Sequence, residues 1–302
     1  MLDFIRGMSL ASGDFNEKTE FYIDGFLAKN LITLVYADGG SGKSWLGMAM
    51  AKHCANSGAD VVYLDFDNPL TALKNRGVLE HLVGHKRINY VQRSKVNAAP
   101  FDVLMMLEQA AIGKALKGKV FVLDSLRNFA DIGMDNKVQR VMEALMNLRE
   151  AGATVIVLHH SNKDGKNYQG SNHIRNSIDN MYQLSRVETV AGAVGCLLTV
   201  KKERSSITDM AFSVSVDGFA LQPMDLEQAK MSEGEAEFVN SVVEVLAEQP
   251  NLNKTALLDA IGKEKDDKAA RALLDKFDGK HWVSSRNGKA FNYCLQQSQL
   301  SN

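Results

Sequence analysis

The chain has 302 residues, enough for one large domain and a small one. Its 45% hydrophobic and 24% charged residues are those of an ordinary globular protein, and a net charge of −1 excludes a broadly basic nucleic-acid binder, so contact with DNA requires a local patch or assembly into a ring. No apolar run approaches the roughly 18 residues of a membrane span; Met1–Arg6 is too short and charged for a signal peptide, and Cys54, Cys196 and Cys294 lie far apart, reading as reduced thiols of a cytoplasmic protein.

Residues 1–25 carry scattered apolar positions without a period and read as an N-terminal arm leading to Phe26-Leu27. The apolar run Leu31–Tyr36 then enters Ala37-Asp38-Gly39-Gly40-Ser41-Gly42-Lys43-Ser44, and a helical pattern opens near Lys43. Strand, glycine-rich turn, Gly-Lys-Ser and helix, in that order, make a phosphate-binding loop. Its N–H groups and the helix N-terminus point at phosphate oxygens. Lys43 reaches the β- and γ-phosphates and the Ser44 hydroxyl binds Mg²⁺, so the stretch Ala37–Trp45 is expected to bind ATP or another nucleoside triphosphate. The usual pattern begins with Gly, and the methyl of Ala37 is tolerable there only at negative φ.

Val61–Leu64, Val120–Leu123 and Thr154–Leu158 are short apolar runs suited to strands covered on both faces. Helical stretches lie between them, near 43–57, 101–116 and 135–151, the last capped by Ala151-Gly152. Such alternation predicts an α/β fold: a mostly parallel sheet with helices on both faces, and the phosphate loop at its carboxyl edge. The polar stretch Ser161–Asn172 reads as a mobile loop. Met181–Leu184, Gly195–Val200 and Ala211–Val216 predict antiparallel strands extending the sheet, with a tight turn at Asp217-Gly218.

Residues 223–234 read as a polar link. Beyond it, Phe238, Val239, Val242, Val243 and Leu246 recur at helical spacing. Asn253 can cap a second helix over Lys254–Ile261, and a third is expected over Asp266–Phe277. Two short strands flank the hairpin signal Asn287-Gly288. Three helices followed by a hairpin predict a winged helix over 235–296, with a tail at 297–302.

Asp124, at the tip of the run Val120–Leu123, sits where a carboxylate holds Mg²⁺ beside a phosphate loop. Hydrolysis also needs a carboxylate to orient water, and Asp65 and Asp67 both follow the second strand on one side, so local pattern does not choose between them. His159 and His160 end the next strand without a metal-ligand partner; a histidine there can hydrogen-bond a terminal phosphate or relay its presence to the loop behind. None of these motifs supplies an obvious arginine for that phosphate, and an arginine reaching in from a neighbouring subunit is the common solution.

Ala37–Ser44, Val61–Pro69, Leu123-Asp124-Ser125-Leu126-Arg127-Asn128-Phe129 and Val157-Leu158-His159-His160 together resemble the RecA-like ATPases of the RepA type, hexameric replicative helicases of plasmids and phages related to DnaB. The resemblance covers about residues 26–216, within an ATPase domain expected over 26–222. It implies that Lys43 and Ser44 hold phosphate and Mg²⁺, and that Asp124 is the Walker B acid. The family's catalytic glutamate falls on Asp67, one methylene shorter, with Asp65 able to compensate. The His159-His160 pair matches a sensor motif. Lys202-Glu203-Arg204 matches the Lys-x-Arg element that touches the γ-phosphate of the next subunit, making Arg204 a finger in trans. The loop Lys163–Arg175, with Lys163, Lys166 and Arg175, lies where channel loops track single-stranded DNA. The implied function is a ring-shaped, ATP-driven DNA motor; a regulatory or helicase-loading ATPase that docks on DNA or a replication partner is the alternative. The C-terminal region falls outside the resemblance, and between Asn251 and Asn302 its nine Lys/Arg against six Asp/Glu are only mildly basic.

Overall fold

The computed structural model describes residues 9, 10, 12, 18–163, 165–287 and 290–296. The expected tail at 297–302, Gly288 of the hairpin signal and most of the arm before residue 18 lie outside the described residues. The chain divides into two compact units, one ending at Ala229 and one beginning at Lys230.

The first unit opens with a small ribbon, β1 (Phe21–Ile23) against β2 (Leu27–Ala28). Its sheet then collects β3 (Ile32–Ala37), β4 (Asp60–Asp65), β5 (Ile88–Gln92), β6 (Lys119–Asp124), β7 (Thr154–His160), β8 (Asn180–Val187), β9 (Ala193–Lys202), β10 (Met210–Ser215) and β11 (Leu221–Pro223), in the spatial order β11-β10-β9-β8-β3-β7-β6-β4-β5. The helices are α1 (Lys43–Asn56), α2 (Leu70–Asn75), α3 (Pro100–Ala111), α4 (Asp135–Glu150), α5 (Asn172–Ser177) and α6 (Leu226–Ala229).

Side-chain alternation builds two cores, one on each face. Val35 and Ala37 of β3, Val61 and Tyr63 of β4, Val120 and Val122 of β6, and Ile156 and Leu158 of β7 pack with α1. Their neighbours Leu34, Tyr36, Leu64, Phe121, Leu123, Val155 and Val157 pack with α3 and α4. On α4 the buried positions Val138, Val141, Met142, Leu145 and Leu148 recur at helical spacing, and Gly152, at φ 97°, turns the chain out of the helix. This is the alternating, mostly parallel α/β sheet expected from sequence.

Three expectations change in detail. β8 runs parallel to β3, with Leu34 opposite Met181, and the antiparallel strands begin at β9. The cause is the connection through α5, which returns the chain to the starting end of the sheet before β8; apolar content alone cannot reveal that. The stretch after Ser161 is a loop, and one pinned to the sheet: Ser161 bridges Tyr168, Gln183 donates to the Gly165 carbonyl at 2.8 Å, and Tyr36 donates to the Lys166 carbonyl at 3.1 Å. Much of the link expected over 223–234 is also structured. Pro223 closes β11, Met224 N–H bonds to Ala211, and α6 buries Ala229.

The second unit holds α7 (Glu233–Glu248), β12 (Leu252–Asn253), α8 (Lys254–Ala260), α9 (Lys268–Lys276), β13 (Trp282–Asn287) and β14 (Ala290–Leu295), the strands forming the antiparallel sheet β12-β14-β13. Ser232 and Glu235 cap α7 reciprocally, and Asn253 caps α8 through Ala256 N–H. Trp282 is fully buried, its indole N–H donating to the Leu274 carbonyl at 3.1 Å, with Tyr293, Phe277, Leu257 and Val242 around it.

Candidate nucleotide-binding site

The strand order sets the site. β7 lies between β3, which carries the glycine loop, and β6, which ends in Asp124; β4, ending in Asp65, follows. The alternation that puts Tyr63, Val122 and Leu158 against α1 also turns Asp65, Asp124 and His160, each the last residue of its strand, to that same face. Register places Asp65 beside Asp124, and Ala37 beside His160.

Ala37 is buried and stays in β3, so its methyl meets no left-handed backbone, as the loop required. Asp38, Gly39 and Gly40 are exposed, and Ser41 donates to the Asp38 carbonyl at 2.8 Å. Gly42 has φ 96°, and a Cβ there would lie 2.9 Å from Val194 Cγ1; only glycine suits it. α1 starts immediately after, with no capping side chain, which leaves its first-turn N–H groups directed at an anion. The Lys43 ammonium donates to the Ala37 and Asp38 carbonyls at 2.9 and 2.7 Å. Burial lowers its pKa, against the opposing pull of Asp124, Asp67 and Asp38. Trp45, two residues on, packs against Phe219 at 5.3 Å between centroids, with the Arg76 guanidinium 5.5 Å from its ring.

Asp124 is buried and accepts from Tyr63 Oη at 3.0 Å; burial and the nearby Asp65 charge push its pKa up to about 7. Asn68 Nδ2 stands 3.3 Å from Asp124 Oδ2, 3.4 Å from Ser44 Oγ and 3.1 Å from both Asp65 oxygens. A nitrogen that meets four converging oxygens marks a point where a cation would be well solvated. Ser44 and Asp124, hard oxygen donors beside the loop, therefore fit Mg²⁺. Asn68 was not singled out by sequence reasoning, although it directly follows the Asp65-x-Asp67 pair.

The two acids that sequence left equivalent have different surroundings. Asp65 is fully buried and accepts from Tyr90 Oη at 2.6 Å, from Asn68 Nδ2, and from the N–H groups of Asn68 and Asp67 at 2.9 and 3.2 Å. Both of its oxygens are occupied: Oδ1 forms the turn that ends β4, and Oδ2 receives Tyr90 and the Asn68 amide. That turn carries Asp67 outward, where its side chain is 24% exposed and pairs with Arg127 at 2.8 Å. His160 Nε2 lies 3.9 Å from the other Asp67 oxygen. Burial disfavours the Asp67 charge, but Arg127 outweighs it and holds the carboxyl below its ordinary range. Arg127 is thus an arginine beside the site that sequence reasoning passed over, though it stands in the Asp-Ser-Leu-Arg run.

The histidine pair separates across the sheet. His160 faces α1, and burial, then the charges of Lys43 and Arg127, lower its pKa. His159 faces the other core, where its Nε2 meets the Gln169 carbonyl at 2.6 Å and burial lowers its pKa to about 4.

Lys202 and Arg204 have different surroundings within the chain. The Lys202 ammonium donates to the Arg175 and Ile178 carbonyls at 2.5 and 2.6 Å, satisfying carbonyls at the end of α5. Arg204 is 55% exposed and pairs with buried Asp179 at 3.3 Å. Lys163, Lys166 and Arg175 are exposed, Arg175 donating to the Lys201 carbonyl at 3.1 Å, so the basic loop adjoins the end of β9.

Among the described residues, no helix is long and apolar enough to cross a membrane. A protein-family model described as AAA domain matches residues 11–166, a span that holds the glycine loop, Asp65, Asp67, Asp124, His159 and His160. No curated protein matches the chain.

Proposed function

This chain belongs to the AAA domain family, and we propose that it is an ATP-hydrolysing DNA motor, a ring-shaped replicative helicase of plasmid or phage type acting on single-stranded DNA. The observation that carries this reading is the convergence of Lys43, Ser44, Asp124, Asp67 and His160 at the carboxyl ends of adjacent strands. Lys43 and the loop N–H groups grip the phosphates, and Ser44 with Asp124 holds Mg²⁺. When bound, the metal would offset the negative charge that develops on the phosphate oxygens. Asp67 orients a water and accepts its proton while the water oxygen bonds to the terminal phosphorus. The bond from that phosphorus to the bridging oxygen breaks, its electron pair remaining on ADP. Arg204 of an adjoining copy supports the terminal phosphate, and Lys163, Lys166 and Arg175 follow the DNA backbone. The order helix, helix, helix, hairpin supports a winged helix in the second unit.

The alternative, a regulatory or helicase-loading ATPase, draws support from Asp67 being short and paired with Arg127, and from the Lys202 ammonium bonding within its own chain. Strand displacement on a forked duplex separates the two. ATP-dependent displacement by the wild type, lost in Lys43→Ala, establishes the motor; nucleotide binding and hydrolysis without displacement establishes the loader. Absence of nucleotide binding would remove both.

A further inference from the structure

The partner that Asp67 keeps is the unexplained feature of the site. A carboxylate that is to take a proton from water should keep its basicity, yet Arg127 Nη2 holds Asp67 Oδ1 at 2.8 Å, Asn128 Nδ2 stands 3.5 Å from the same atom, and the guanidinium charge lowers the affinity of the whole carboxylate for a proton. The charge of Arg127 also reaches past Asp67. It opposes protonation of both Lys43 and His160, so two fixed cations and an imidazole share one small region at the strand ends. His160 Nε2 is buried and makes no hydrogen bond, while Lys43 is held by the loop's own carbonyls. Two cations and an imidazole without a hydrogen-bond partner, converging from three elements (α1, the turn after β6 and β7), can receive a further anion beside the carboxylates. The Arg127 side chain is 47% exposed, which leaves the planar guanidinium free to turn from a carboxylate to a second oxyanion.

We propose that Arg127 is a sensor of the terminal phosphate in its own subunit's site, and that it is shared between Asp67 and that phosphate. The inference rests on the nucleotide reading above and deepens it. The terminal phosphate competes with Asp67 for the guanidinium, and when the phosphate takes it, the Asp67 carboxylate is released toward water. Arg127 thereby couples occupancy by a triphosphate, but not a diphosphate, to the freeing of the base. The site then needs no neighbouring chain to distinguish ATP from ADP, although Arg204 can still contribute to turnover from an adjoining copy. A shorter acid at this position suits such sharing, because Asp67 stays within reach of the turn that carries Arg127. Asn128, on the same turn, retains Asp67 in place as the guanidinium leaves.

The test is calorimetric titration of the full chain, with Mg²⁺, by ADP and by the non-hydrolysable analogue AMPPNP, in wild type, Arg127→Ala, Arg127→Lys, Asp67→Asn and the double variant. Charged hydrogen bonds of this kind are worth about tenfold or more in affinity. Arg127→Ala is expected to weaken AMPPNP about tenfold while ADP stays within about twofold, and Arg127→Lys to recover part of the loss. ADP affinity itself reports that the variant is folded. Asp67→Asn is expected to tighten AMPPNP relative to ADP, and that gain should vanish in the double variant, because the two side chains compete for one bond. Dilution should leave the discrimination unchanged. Equal effects on ADP and AMPPNP, or an Asp67→Asn gain that persists without Arg127, would overturn the proposal while leaving nucleotide binding intact. A wild type that binds neither nucleotide would overturn the nucleotide reading and this inference together.

Discussion

His159 and His160 are adjacent in sequence and yet lie in different surroundings, because a strand turns successive side chains to opposite faces. His159 lies in the core behind the site and titrates near 4 instead of its ordinary 6.5. Between those values the unfolded chain binds a proton that the folded one refuses, so stability from this residue is present above 6.5 and falls as pH drops toward 4. At about pH 5 the loss should be about 2 kcal/mol relative to about pH 8. Urea unfolding of wild type and His159→Gln at the two pH values checks this. The wild type should lose more stability on acidification than the variant, and equal losses would mean His159 is protonated in the fold. At this scale the sequence was informative about which residue types gather at the strand ends and poor at separating their roles. Asp65 and Asp67 looked equivalent because spacing alone decides only the side of a strand; burial of Asp65, and the turn it nucleates with Asn68, send Asp67 elsewhere. The bonds of Lys202 within its own chain were illegible for a similar reason: a long flexible side chain has no sequence signal for which carbonyl its ammonium reaches.

Among elements, α1 bears most directly on the site. Its seat on the sheet is so close that a Cβ at Gly47 would fall 2.6 Å from Leu158 Cδ1 and 3.0 Å from Tyr63 Oη. Tyr63 is also the donor to Asp124, so packing under the helix and the Asp124 carboxylate share one side chain. Gly47→Ala should destabilise the first unit by about 1–3 kcal/mol through overpacking, and should weaken Mg²⁺-dependent nucleotide binding beyond what that loss explains. Gly39→Ala, where a Cβ meets nothing within 4 Å, is the comparison expected to leave unfolding unchanged. Denaturant melts and Mg²⁺ titrations of nucleotide binding read the two effects separately. The strands β3, β4, β6 and β7 were legible because buried parallel strands write themselves as continuous apolar runs, and the glycine loop fixes where helix begins; the half-exposed edge strand β5 and the short α2 went unread. What followed β7 was less so. The Ser161–Ile178 segment is ordered by Tyr36, Gln183 and His159, residues of distant strands whose contacts leave no mark in the local pattern.

For the molecule as a whole, the question is whether Arg204 serves its own chain or an adjoining one. Within the chain its contribution is dispensable. Asp179 is already held by Arg149 at 2.9 Å and by the Ile32 N–H at 2.9 Å, and Arg204 adds only a half-exposed contact at 3.3 Å. Exposed pairs of that kind contribute about 0–1 kcal/mol, so Arg204→Ala should fold and bind nucleotide as the wild type does. If copies assemble with the nucleotide between them, the same variant should still associate but lose ATP turnover, because the lost charge acts only across the interface. Mass photometry with AMPPNP and oligo-dT should show the wild type as a hexamer, and steady-state hydrolysis should rise with protein concentration for the wild type alone. A wild type that stays a single protomer with both ligands present, or an Arg204→Ala rate equal to wild type, would show that the site works within one chain. Arg127 would then be the arginine left beside its terminal phosphate.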